Sequence, residues 1–73
     1  MLEMIEVIGT SPIGFSEAAK AAVDDLIRSG RKAHFFQVVE QRGSVRDGGV
    51  KEYQVIVKVA VEIHNDENRP GRI

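Results

Sequence analysis

An α+β fold with the order β-α-β-β, a three-stranded antiparallel sheet carrying one helix on one face, is what the sequence predicts. Three observations lead there. One stretch shows helical spacing, with Phe15, Ala18, Ala19, Ala22, Val23, Leu26 and Ile27 recurring at i, i+3 and i+4. Three other stretches, residues 1–9, 32–42 and 49–63, are rich in β-branched and aromatic residues. The segment G-S-V-R-D-G-G, residues 43–49, is turn chemistry, and it makes the second and third of these stretches an antiparallel hairpin.

The first strand alternates imperfectly. Leu2, Met4 and Ile8 lie on one side and Ile5 and Val7 on the other, so both faces are partly apolar, as in a strand covered twice. Ser11 is expected to cap the helix, with Pro12 as its first residue. Gly30 is expected to close it, and Arg28 in the last turn suits the helix dipole. The alanine stripe of this helix is narrow, so the sheet beneath must come close.

In the second strand Phe35 and Phe36 are adjacent and must point to opposite faces. Phe36 shares a face with Val38 and suits the core. Phe35, sharing its face with Gln37 and Val39, is left on the far side. The third strand has an unbroken apolar face, Tyr53, Val55, Val57, Val59, Val61 and Ile63, and a mixed one, Gln54, Ile56, Lys58, Ala60 and Glu62. Residues 64–73 are polar with Pro and Gly, which places the folded domain at 1–63 and a frayed tail after it.

A chain of 73 residues buries only about 60% of its unfolded surface and is marginal alone. The usual remedies are disulfides, a structural metal or self-association. There is no cysteine, so disulfides and thiolate zinc sites are excluded. His34 and His64 lie far apart without ligand spacing, and Asp66 with Glu67 match no metal loop. Self-association remains. It also has a surface, because one helix covers one face and leaves Phe35, Val39, Ile56 and Ala60 uncovered.

The formal charge of −1 argues against a protein built to hold nucleic-acid phosphate. Met1 is followed by a strand pattern and not by a basic segment with an apolar block, so no signal peptide is expected. No apolar run approaches the ~20 residues of a membrane span. A soluble cytoplasmic protein, bound to neither membrane nor nucleic acid, is the expectation. No credible set of acid, base and nucleophile is present, so no enzyme activity and no catalytic residue is expected.

V-I-G-T-S-P opening the helix, then F-F-Q-V-V-E-Q-R-G, then D-G-G-V-K-E-Y-Q-V, together resemble the dodecins, small flavin-binding proteins of this element order. The resemblance runs from about Glu3 to Glu62. It implies a sheet wrapped around its helix, a hollow homododecamer, and flavin (FMN, riboflavin or FAD) held between subunits for storage or sequestration. It further implies that the family's flavin-stacking tryptophan falls on Phe35, its edge-reading glutamine on Gln54, and a phosphate-facing arginine on Arg42. The glutamine and arginine are kept. The tryptophan is replaced.

The residue chemistry suits these roles. An aromatic ring stacked on a flat apolar plane is worth roughly 1–3 kcal/mol, by analogy with bases. Gln54 carries both a donor and an acceptor, and Arg42 a guanidinium fork. Two other readings stand beside flavin storage. One is an assembly of the same fold that binds no flavin, being structural or taking another ligand such as coenzyme A or a metal ion. The other is a small RNA-binding sheet using Phe35 with Arg42, Arg46 and Lys51, which the balanced charge disfavours.

Overall fold

The computed structural model describes residues 1–63. The expected frayed tail, with His64, Asp66 and Glu67, lies outside the described residues. The elements run β1 (Leu2–Ser11), α1 (Phe15–Arg28), β2 (Ala33–Arg46) and β3 (Gly49–Glu62). The three strands form one sheet in the order β1-β3-β2, antiparallel throughout. The predicted fold class is thus the observed one, with the most apolar strand at the centre.

The hairpin is tighter than its sequence suggests. Strand pairing continues to Arg46 opposite Gly49, so the turn is Asp47-Gly48 alone and not the seven residues 43–49. Both turn residues have positive φ, 54° and 81°. Such an Asp-Gly turn has the twist that matches right-handed strands, so the ladder need not splay before it closes.

The helix start also differs. Ser11 ends β1, and its hydroxyl accepts a hydrogen bond from the Ile13 N–H at 3.0 Å. It caps the local Ser-Pro turn and lies too far back for the helix. The cap position is Gly14, with no side-chain bond, and the first helical residue is Phe15 instead of Pro12. The far end follows expectation. Gly30, at φ 98°, donates to Ile27 O, and Arg31 N donates to Leu26 O, which is a Schellman closure.

The core is small. Ala18, Ala19 and Ala22 pack on Val55, Val57, Val59 and Val61, with Ile5, Val7, Val23, Leu26 and Ala33 at its edge. The largest fully buried side chains are these four valines. The helix comes down hardest on β1. A Cβ added to Gly9 would lie 2.0 Å from Ala18 O and 2.9 Å from the Ala22 Cβ, so that strand position admits only hydrogen. Edge-to-face packing of Phe15 on Tyr53, with centroids 5.0 Å apart, pins the first helical turn.

A 14-residue helix is about 21 Å long, whereas a 14-residue strand runs about 46 Å. The hairpin therefore outreaches the helix. The radius of gyration is 15.9 Å, against about 11 Å for a compact chain of this length. Phe36 and Val38 point to the helix side, as expected, but are not core: they remain 47% and 45% exposed. With Phe15, Ser16, Ala19, Gln41 and Val55 they line an open groove of about 300 Å³ beside the helix. The helix rests mainly on β1 and β3 and barely reaches β2.

Candidate functional site

The helix-free face of the sheet is read from the strand register, because directly paired residues share a face. Successive rows across β1, β3 and β2 are Met4–Ala60–Phe35, Glu6–Lys58–Gln37, Ile8–Ile56–Glu40 and Thr10–Gln54–Arg42. Phe35 is on this face with 55% of its surface exposed, and Met4 and Ile8 are likewise exposed. Ala60, expected to be uncovered there, is 0% exposed. It sits as the small floor between Met4 and Phe35, whose larger side chains flank it on both sides.

Two bulges in β2 decide what reaches this face. The pairing skips His34 and then Val39. Each skipped residue reverses the alternation that follows it. Val39 is thereby the bulged residue and not a partner of Phe35 and Gln37 in a simple period of two. Beyond it Glu40 and Arg42 come to the outer face, while Gln41 turns to the helix side opposite Val55.

Arg42 and Gln54 are brought together. Arg42 Nε donates to Gln54 Oε1 at 2.9 Å, and Gln54 Nε2 donates to Glu52 Oε1 at 3.1 Å. Glu40 stands 3.9 Å from the Arg42 guanidinium. The result is a chain of four polar side chains, Glu40–Arg42–Gln54–Glu52, two of them acidic. Phe35 is not part of it. Its row and the Gln54 row are six residues apart on β3, roughly 20 Å along the strand. One copy of this chain holds the aromatic plane and the polar group at separate places.

His34, expected at the surface, is exposed there, and its Nε2 lies 3.6 Å from Glu62 Oε2. Among the described residues, no group of three or more His, Cys, Asp or Glu is arranged to hold a metal ion. No helix among them is long and apolar enough to cross a membrane. Sequence reasoning missed Glu40 and Glu52. Glu52 sits two residues before Gln54 on the same strand face, and that spacing was the available signal.

A β-α-β-β module with one helix, a sheet face left uncovered among the described residues and an aromatic on that face defines a class of small sheet-and-helix proteins, and comparison with known proteins narrows it. The family model described as Dodecin matches residues 1–64. A dodecin of Thermus thermophilus is 37% identical over 59 residues, covering 81% of this chain and 86% of the relative. The solved structure of a tryptophan-to-phenylalanine mutant of the T. thermophilus dodecin aligns with TM-score 0.81 at 36% identity, covering 88% of this chain and 96% of that one. A dodecin from Mycobacterium tuberculosis, described as a calcium-chelating immunodominant antigen with a novel calcium-binding site, aligns with TM-score 0.78 at 27% identity, over 90% and 94% of the two chains. The chain belongs to the dodecin family.

Proposed function

We propose that this protein is a flavin-binding storage or sequestration protein, working as a homododecamer that holds flavin between copies. The observation that carries this reading is Phe35, an aromatic ring more than half exposed on a face that no other described element covers. Water is a poor neighbour for such a ring, and a flat isoalloxazine is a good one. In this reading Phe35 stacks on the ring system, Gln54 meets its pyrimidine edge, and Arg42 faces the phosphate of FMN or FAD.

The fit of these residues to a flavin is tested by what they already touch. Gln54 has one bond on each side of its amide, leaving a second lone pair on Oε1 and a second proton on Nε2 for a ligand edge. Arg42 spends its Nε on Gln54 and keeps both terminal nitrogens for a phosphate, with Glu40 at 3.9 Å as the competitor. The donor set fits. Because the rows of Phe35 and Gln54 lie roughly 20 Å apart along β3, a ligand touching both needs a second copy to complete the site. The exposed apolar residues of the outer face and the valine-sized core give the chain a reason to associate.

Bound flavin declares itself by colour. Protein purified from its own host without added flavin is expected to be yellow, and titration is expected to show FMN bound more tightly than riboflavin, less so at high salt. Arg42→Ala is expected to narrow that preference. Equal affinity of the unmodified protein for FMN and riboflavin removes the phosphate role from Arg42. A colourless protein that takes up no flavin leaves the other reading, an assembly of this fold with a structural role or a different ligand such as coenzyme A or a cation.

A further inference from the structure

Gln54 sits between two neighbours of opposite and fixed character. Arg42 is a donor only, whatever its rotamer, and an ionised carboxylate such as Glu52 is an acceptor only. An amide between them has one orientation, Oε1 toward Arg42 and Nε2 toward Glu52, and this is the arrangement found at 2.9 and 3.1 Å. Reversing the amide would set its NH2 against the guanidinium and its carbonyl against the carboxylate. Most glutamine side chains on a sheet are free to turn over. This one is not.

The orientation matters for a ligand that alternates acceptors and donors along one edge. The pyrimidine edge of an isoalloxazine presents carbonyl, N3–H, carbonyl. A glutamine amide can accept from N3–H and donate to one of the two carbonyls, and the sense of the amide decides which one. We infer that Glu52 is a positioning residue that, with Arg42, fixes the sense of the Gln54 amide and thereby the edge-on direction in which the flavin ring enters. This rests on the flavin reading above. It adds a role for a residue that touches no ligand, and it gives Arg42 a second task independent of any phosphate.

Glu52 lies two residues before Gln54, so their side chains share the outer face of β3, and Arg42 reaches that face through the Val39 bulge. The three groups therefore come from two adjacent strands with backbone hydrogen bonds between them, a stiffer support than a loop. The carboxylate is part-exposed and bears no other hydrogen bond among the described residues beyond the one to Gln54.

The test uses riboflavin, which has no phosphate, and its N3-methyl derivative, which has no N3–H. The unmodified protein is expected to bind riboflavin and to reject the methylated compound. Glu52→Gln supplies both a donor and an acceptor, so one of the two constraints on the Gln54 amide is lost and Arg42 alone holds its sense. The variant is expected to bind riboflavin about fivefold more weakly, the scale of one ordinary hydrogen bond, and to discriminate less between the two compounds. Its assembly mass and melting temperature should not move, which separates positioning from a merely structural role. Glu52→Asp, which keeps the acceptor, should recover part of the loss. Alongside, one Gln54 side-chain amide proton should resonate downfield through its bond to the carboxylate, a shift that Glu52→Gln abolishes. Unchanged riboflavin affinity and discrimination in Glu52→Gln overturn the positioning role while the flavin reading stands. If the unmodified protein binds neither compound, the flavin reading falls and takes the ligand role of Glu52 with it, and the resonance then reports only whether the lock itself exists.

Discussion

Replacing Phe35 probes the proposed site most directly, because the ring carries the reading and little of the monomer depends on it. A phenylalanine side chain buries roughly 200 Å² when fully covered, and 55% of this residue is exposed, so about 110 Å² remains for a stacked partner. At about 25 cal/mol per Å² that area is worth roughly 2.7 kcal/mol of ligand affinity before any ordering cost. Phe35→Ala should therefore weaken flavin binding by about fifty- to a hundredfold, with the assembly still folded. Phe35→Trp adds roughly 40 Å² of ring, about 1 kcal/mol, and should tighten binding about fivefold. Tryptophan is also the easier ring to oxidise, so quenching of flavin fluorescence should become more complete in that variant. The assay is a fluorescence titration of each variant with riboflavin and FMN, with a thermal melt beside it. If Phe35→Trp binds flavin no better than phenylalanine does, the ring is interface packing and the flavin assignment fails.

Gly9→Ala should be far more damaging than its size suggests. The new methyl would stand 2.0 Å from the Ala18 carbonyl, so the helix must lift or β1 must bend, costing about 1–3 kcal/mol or more, read as a clear drop in the denaturation midpoint. Ile56→Asp places a charge in the middle of the Ile8–Ile56 row, and sedimentation should show loss of the proposed assembly of twelve chains of 8.1 kDa, about 97 kDa, together with a lower melting temperature. A stable folded monomer at micromolar concentration in the unmodified protein would count against assembly altogether. Phe36→Ala, for a ring left 47% exposed beside the groove, should cost about half of the roughly 3–5 kcal/mol that a fully buried ring would, measured by chemical denaturation of the assembly.

The parts legible in the sequence are those whose period is uninterrupted. The helix shows itself through Ala18, Ala19 and Ala22, because every turn repeats the same small stripe. β3 shows itself because its odd positions from Val55 to Val61 face the helix without a break, and all four are buried. β2 resists such reading. Its bulges at His34 and Val39 reverse the alternation twice, so counting by two from Phe35 across Val39 sends Arg42 to the wrong face. Ser11 resembles a helix cap because a serine before a proline usually is one, but its hydroxyl is taken by Ile13 N. The candidate site was half visible. Residue type and resemblance pointed to Phe35, Gln54 and Arg42, yet the Arg42–Gln54 bond, the Glu52 partner and the long separation of Phe35 from both are matters of register, which no local pattern encodes.

The two bulges of β2 have a consequence for how errors would propagate in this strand. Each is a phase slip of one residue, and the second cancels the first, so only the short window from Phe35 to Val38 is out of step with the rest. Within that window stand the two phenylalanines. Were the slip at Val39 lost while the Asp47-Gly48 turn held the register, Phe36 would rotate to the outer face and Phe35 would take its place beside the helix. Either setting of the strand therefore presents an aromatic ring outward and another inward. The doublet keeps an aromatic ring on the outer face under either setting of the strand.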